Sequence, residues 1–348
     1  MRRLSPLAVV PFLLLPAAAA FAGDKTWVGT TTDWSTGSNW NPAGVPGNAD
    51  RAIIPTAPTG GRFPTIVATP STINQLLVSA AATLTINTGV DLNIDGGTSP
   101  FIDGTGTVVT AGTGRVQITG GSNNFTVIND SMTLGNLTLN PGFNRTFIVT
   151  SGKTVVLNGN LTLLSGGLRI GLAGGAANAL TIKGNLSIPT STTLEVQSSN
   201  STIWITGNWV QTGRWQAGPN ATVIFNGTTA QNIDIDRRQV ASFDFENMRI
   251  SNTSAPVTYL NNNPANTPNG MNINHNLTVD AGENTGAPTF GPGAFPAHVK
   301  GLPRGWKLLE NLANTAALGQ RPCMLYVGAM NHIGGVAGWA RIFASCAR

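Results

Sequence analysis

The side chains of this 348-residue chain that could do acid–base or metal chemistry are few and scattered. Two acid pairs stand out, Asp91 with Asp95 and Asp234 with Asp236, the second followed by Arg237-Arg238. On an extended strand residues of equal parity share a face, so each pair presents two carboxylates to one side, as polysaccharide hydrolysis or a hard metal ion requires. Neither pair has a His or Lys close by to act as its partner, and solvated outward side chains account for both. The sequence therefore nominates no catalytic residue, no metal ligand and no cofactor. Tandem Gly-Gly-x-Gly-x-Asp repeats, which hold Ca²⁺, do not occur, since Gly96-Gly97 and Gly166-Gly167 lack the repeated Asp. The glycine-rich stretch 171–175 is not followed by the Lys-Ser/Thr of a phosphate loop. Two cysteines, Cys323 and Cys346, can form a disulfide in an oxidising compartment but cannot by themselves make a zinc site.

Whatever those residues do, a repeated element must position them. One phrase recurs between residues 115 and 227: apolar, any, apolar, any, Gly. It is carried by Val116, Ile118 and Gly120; Val155, Leu157 and Gly159; Leu180, Ile182 and Gly184; Ile203, Ile205 and Gly207; and Val223, Phe225 and Gly227. The glycines lie 39, 25, 23 and 20 residues apart, and a period in the low twenties is that of one coil of a β-solenoid. A second phrase follows the glycine: Asn160-Leu161-Thr162-Leu163, Asn185-Leu186-Ser187-Ile188 and Asn208-Trp209-Val210. Strand alternation sends Leu161, Leu163, Leu180, Ile182, Leu186 and Phe225 inward and the hydroxyls outward. The Gly-Asn pair reads as a corner, with glycine supplying a positive φ and stacked asparagines exchanging amide hydrogen bonds along the coil axis. Gly135-Asn136-Leu137 repeats the second phrase, but its preceding strand lies one residue closer to the glycine, which reads as a register change or a bulge.

Aligning the phrases gives one aromatic lead. In Ile203-Trp204-Ile205 the isoleucines take the inward slots, Trp204 aligns with Thr181 of the previous coil, and its indole faces out, where a loop can cover it or it can stack on a sugar or another subunit. Trp209 and Trp215 read as inward.

The chain opens with Met1-Arg2-Arg3, an apolar run over 7–15 and Ala20-Phe21-Ala22 before Gly23, the pattern of a secretory signal peptide over residues 1–22. No later apolar run is long enough to span a bilayer as a helix, so the mature chain is expected without an integral membrane segment. Only 10% of residues are charged and 42 are glycine. The net charge of +5 is uneven: residues 23–290 hold 12 basic and 14 acidic residues, residues 291–348 hold 6 and 1. With no basic stripe on the main body, the high isoelectric point does not argue for nucleic acid.

Residues 23–72 read as an N-terminal cap and loop. Trp27, Trp34 and Trp40 lie within 14 positions and are assigned to covering the first rung rather than to sugar binding. The pattern Trp27-Val28-Gly29, Asp33-Trp34-Ser35, Asn39-Trp40, Gly44-Val45-Pro46-Gly47, Asp50, Ile53-Ile54-Pro55 resembles the opening of secreted bacterial repeat proteins of the autotransporter-passenger and adhesin type, and the Gly-Asn-Leu-Thr-Leu rungs are similar to theirs. The resemblance covers residues 26–280. It implies an all-β chain built as a single right-handed parallel β-helix over residues 73–285, secreted or held on the outer cell surface. It implies an adhesive or structural module that binds glycans or other surface proteins and is not an enzyme, with a β-helix polysaccharide lyase or glycoside hydrolase as the alternative. The translocating barrel of an autotransporter is not expected within the residues that follow the repeats. Residues 286–348, with their basic charge and both cysteines, are expected to be an irregular or partly helical tail carrying the possible Cys323–Cys346 bridge.

Overall fold

A computed structural model describes residues 23–70, 72–97, 99–142, 145–235, 244–252, 255, 257–260, 273–279, 323–329 and 340–346. The expected signal peptide, the acid Asp236 with Arg237 and Arg238, and most of the tail expected to be irregular or partly helical lie outside the described residues.

The apolar alternation becomes three sheets, of ten, ten and eight described strands, in which all strands but the antiparallel Trp40–Asn41 pair in parallel with their counterparts one coil away. One coil illustrates the path. Thr146–Val149 lies on the first sheet (face A), Thr154–Leu157 on the second (face B) and Leu161–Leu163 on the third (face C). The next coil repeats this with Gly167–Ile170, Ala179–Ile182 and Leu186–Ile188, each paired in parallel register with its predecessor. This is a parallel β-solenoid. Leu161, Leu163, Ile182, Leu186 and Phe225 are fully buried and Leu180 nearly so, in the slots that alternation assigns. Because identical slots stack coil on coil, apolar side chains form continuous files, and each buries its surface against the coils above and below.

The coil begins before the rung phrases do: Arg51–Ile54 already pairs in parallel with Gln75–Val78 on face A. At the end of face A the antiparallel strand Trp40–Asn41 closes on Asp24–Trp27, and Asp33 bridges Thr65 over face B. An antiparallel partner stops the parallel ladder from growing, which is what an exposed edge needs. Trp27, Trp34 and Trp40 are all buried, and Trp40 meets both other rings edge-on at 5.0 and 4.7 Å. The Trp27 indole N–H donates to Arg62 O and that of Trp40 to Trp34 O, so the three rings hold the first coil and are not a sugar platform.

The corner between faces B and C differs from expectation in three respects. None of Gly135, Gly159, Gly184 and Gly207 has a positive φ, nor do the asparagines after them. Glycine is required there by crowding: a Cβ at Gly159 would overlap Asn136 Oδ1, and one at Gly184 would lie 2.7 Å from Gly159 C and 2.8 Å from Asn160 N. The asparagine ladder does not run from amide to amide either. Asn136 Oδ1 accepts from the backbone N–H of Asn160 (2.8 Å), Asn160 Oδ1 from Asn185 (2.7 Å), Asn185 Oδ1 from Asn208 (2.8 Å) and Asn208 Oδ1 from Asn232 (2.8 Å). Each side chain satisfies the corner donor of the next coil. The positive φ angles lie elsewhere, for example at Gly152, Asn200 and Asn220 between faces A and B.

Nor is Gly135 part of a bulge. Met132–Leu134 pairs residue for residue with residues 155–157, and Leu137 pairs with Leu161, so the missing residue is taken out of the corner alone. The coil before turns the same corner through residues 111–114, and Asn136 Nδ2 donates to the Gly112 and Gly114 carbonyls of that loop (2.9 and 2.8 Å). Thr110 Oγ1 accepts from the Asn136 backbone N–H (2.9 Å) and so starts the ladder.

The strands described beyond Gly301 belong to a separate compact unit. There the expected irregular tail contains an antiparallel hairpin, Cys323–Ala329 with Ala340–Cys346, whose register sets Cys323 directly opposite Cys346.

Candidate functional site

The outward side chains decide what the solenoid can touch. Asp91 is held on face C by the next coil, its two oxygens receiving Arg115 Nε and Nη2 at 2.9 Å each. Asp95 lies past the end of that strand, at the corner over Gly120. The two acids predicted as a pair therefore have separate jobs. Asp234 sits on face C between Val210 and Leu260 in neighbouring coils. On face A, Arg169 and Glu195 form a second inter-coil pair at 3.0 Å, with Gln197 on the other Glu195 oxygen. Asp91 with Arg115 and Arg169 with Glu195 are axial struts, each charge cancelled by an opposite one a coil away.

One cluster has no counterpart in the sequence reading. At the corner between faces A and B, Asp103, Asp130 and Lys153 come from three successive coils. Lys153 Nζ donates to Asp130 Oδ1 (3.1 Å), and Gly104 N–H lies between the two carboxylates, 3.0 Å from Asp103 Oδ1 and 3.3 Å from Asp130 Oδ2. Asn129 Nδ2 donates to Asp103 Oδ1 (3.2 Å). Lys153 holds the Asp130 carboxyl below the usual carboxylate range, helped by the Asp103 carboxyl within hydrogen-bonding reach and opposed by burial. A depressed folded-state pKa stabilises above the unfolded value and is lost as pH falls through the folded value. Both side chains are about a third exposed, 30% and 32%, so solvent screens the pair and it is worth less than about 1 kcal/mol. Lys153→Met should thus lower the melting temperature slightly at neutral pH, with the gap to the parent closing below the ordinary carboxylate range; thermal melts against pH check this.

Face B carries no such charges through most of its length. Its outer file runs Thr83, Thr107, Thr133, Val156, Thr181, Trp204 and Ile224, each paired with the next one coil on. Trp204 lies against Thr181 as aligned from sequence, and it is half-buried rather than fully exposed. Ile224, beside it and also outward, keeps only 9% of its surface, so the indole lies in an apolar patch and does not stand free. A parallel file holds Thr154, Ala179, Thr202 and Thr222. Charge returns with Arg249, next in line after Ile224. Trp209 and Trp215 are buried as expected, at 5.1 Å and nearly perpendicular.

No family model, curated protein or solved structure matches the chain. The site must be judged on its own chemistry. Among the described residues no group of three or more His, Cys, Asp or Glu side chains is placed to hold a metal ion, and no helix is long and apolar enough to cross a membrane.

Proposed function

We propose that this chain is an exported structural or adhesive module of the bacterial cell surface, like the autotransporter-passenger and adhesin proteins it resembles, and that it binds glycans or surface proteins through a face of the solenoid. The observation that carries this reading is Trp204, half-buried between Thr181 and Ile224 in an uncharged file on face B. An indole offers a flat apolar face for the C–H side of a sugar ring, and the hydroxyls beside it donate and accept. Adhesion by many weak, repeated contacts also suits a scaffold in which the charge pairs Asp91–Arg115, Asp130–Lys153 and Arg169–Glu195 brace neighbouring coils.

Binding of the purified protein to a glycan panel and to whole cells tests it. Trp204→Ala should weaken retention roughly three- to tenfold, the worth of one aromatic contact. Undiminished binding by this variant would remove the indole from the site.

The rival reading, a polysaccharide lyase or hydrolase, has one observation in its favour: two carboxylates and a lysine meet at Asp103, Asp130 and Lys153. Every polar contact there is made within the corner stack, which suits bracing. Turnover of a polysaccharide that Asp130→Asn abolishes would establish the rival.

A further inference from the structure

Face B differs from the other two faces in charge, and that difference names a ligand class. Face C carries Asp91 with Arg115, face A carries Arg169 with Glu195, and the A–B corner carries Lys153 with Asp130. Along seven consecutive strands of face B, from Thr83 to Ile224, no outward position of the two files is ionic. Binding to an acidic polymer or a charged protein patch draws its attraction from ion pairs across the interface, which this strip cannot supply. It supplies hydroxyls and methyls interspersed with Val156, Ala179 and Trp204, because threonine carries both on a β-branched carbon with restricted χ1. Where threonines fall in successive coils, as at Thr83, Thr107 and Thr133 and at Thr202 and Thr222, their hydroxyls recur at about 4.8 Å, and Val109, 43% exposed, extends the apolar content towards the first coils.

We infer that face B binds a neutral, hydroxyl-rich polysaccharide spread over several coils, with Trp204 against the apolar face of a sugar ring and the threonines bonding its hydroxyls. This rests on the adhesive reading and narrows it to uncharged polymers on one face. A polymer long enough to meet several coils gains from each added contact without any single contact being strong.

The test uses the intact protein in co-sedimentation with two insoluble neutral polymers, microcrystalline cellulose and chitin, and with alginate beads as the acidic counterpart, each at low and high salt. Retention on a neutral polymer that salt barely changes, and that Thr154→Glu reduces at least tenfold while leaving the melting temperature near the parent's, supports the inference. Thr154 is exposed, so the added carboxylate tests the surface and not the core. Salt-sensitive retention on alginate alone overturns the inference and leaves the adhesive reading standing, with Lys183 at the B–C corner as the first cation to suspect. Retention on none of the three, with concentration-dependent self-association that Thr154→Glu abolishes, overturns it in favour of a second copy of the chain. A protein that binds no polymer, no cell and no copy of itself defeats both readings.

Discussion

Leu161→Asp should unfold the middle of the solenoid, whereas Thr162→Asp, one residue away, should leave the melting curve almost unmoved. Leu161 is fully buried, paired with Leu137 on one side and Leu186 on the other. The substitution forfeits about 2–5 kcal/mol of burial and places an unpaired carboxylate among aliphatic files, where it must either protonate or drag in water. Coils stabilise one another through their interfaces, so a defect in the centre of the stack also weakens Leu137 and Leu186. Thr162 points the other way from the same strand, towards solvent, and the added charge costs a few tenths of a kcal/mol. Denaturant melts of the two variants measure this, and similar losses in both would contradict the register.

The second large effect belongs to the Gly-Asn corner, where three substitutions should rank in a fixed order. Gly184→Ala is the worst, because its methyl meets Gly159 C and Asn160 N, backbone atoms that cannot rotate away. Overpacking of this kind costs about 1–3 kcal/mol, and displacing the Asn160 side chain leaves the Asn185 N–H unpaired as well. Asn160→Ala is intermediate: it loses that hydrogen bond, about 1–2 kcal/mol, without a clash. Asn160→Asp should be close to neutral, since the ladder uses only the side-chain oxygen, and a carboxylate accepts from Asn185 N–H equally well. An amide-to-amide ladder predicts the opposite for Asp, so the order of the three melting temperatures separates the two arrangements.

The inward files were legible because alternation is a local property: Leu180-x-Ile182 reads the same whichever coil lies beneath it. The outward alignment of Thr181 with Trp204 was legible for the same reason. The purpose of the corner glycines was not, since the group that forbids a Cβ at Gly159 is Asn136, a whole coil earlier. Reading Gly as a source of positive φ applies a single-chain rule where packing between coils decides. Lys153 meets Asp130 across 23 residues and Asn129 meets Asp103 across 26, so this cluster appears only when corners are aligned rather than strand phrases. Asp91 and Asp95, close in sequence, looked like a pair, yet the partner of Asp91 is Arg115 on the next coil. The low exposure of Ile224, which takes an outward slot beside Trp204, was hidden too, because alternation assigns a direction and not what covers it.

The claim that function resides on one face of the solenoid is tested most directly by comparing two alanine variants that sit on different faces and in consecutive strands. Trp204 lies on face B, and Val210, 39% exposed, lies on face C. In a retention assay on the polysaccharide or cell surface that the parent protein binds, Trp204→Ala should lose affinity roughly three- to tenfold while Val210→Ala binds as the parent does. Equal retention by both variants, or loss by Val210→Ala alone, would contradict the assignment of the binding surface to face B.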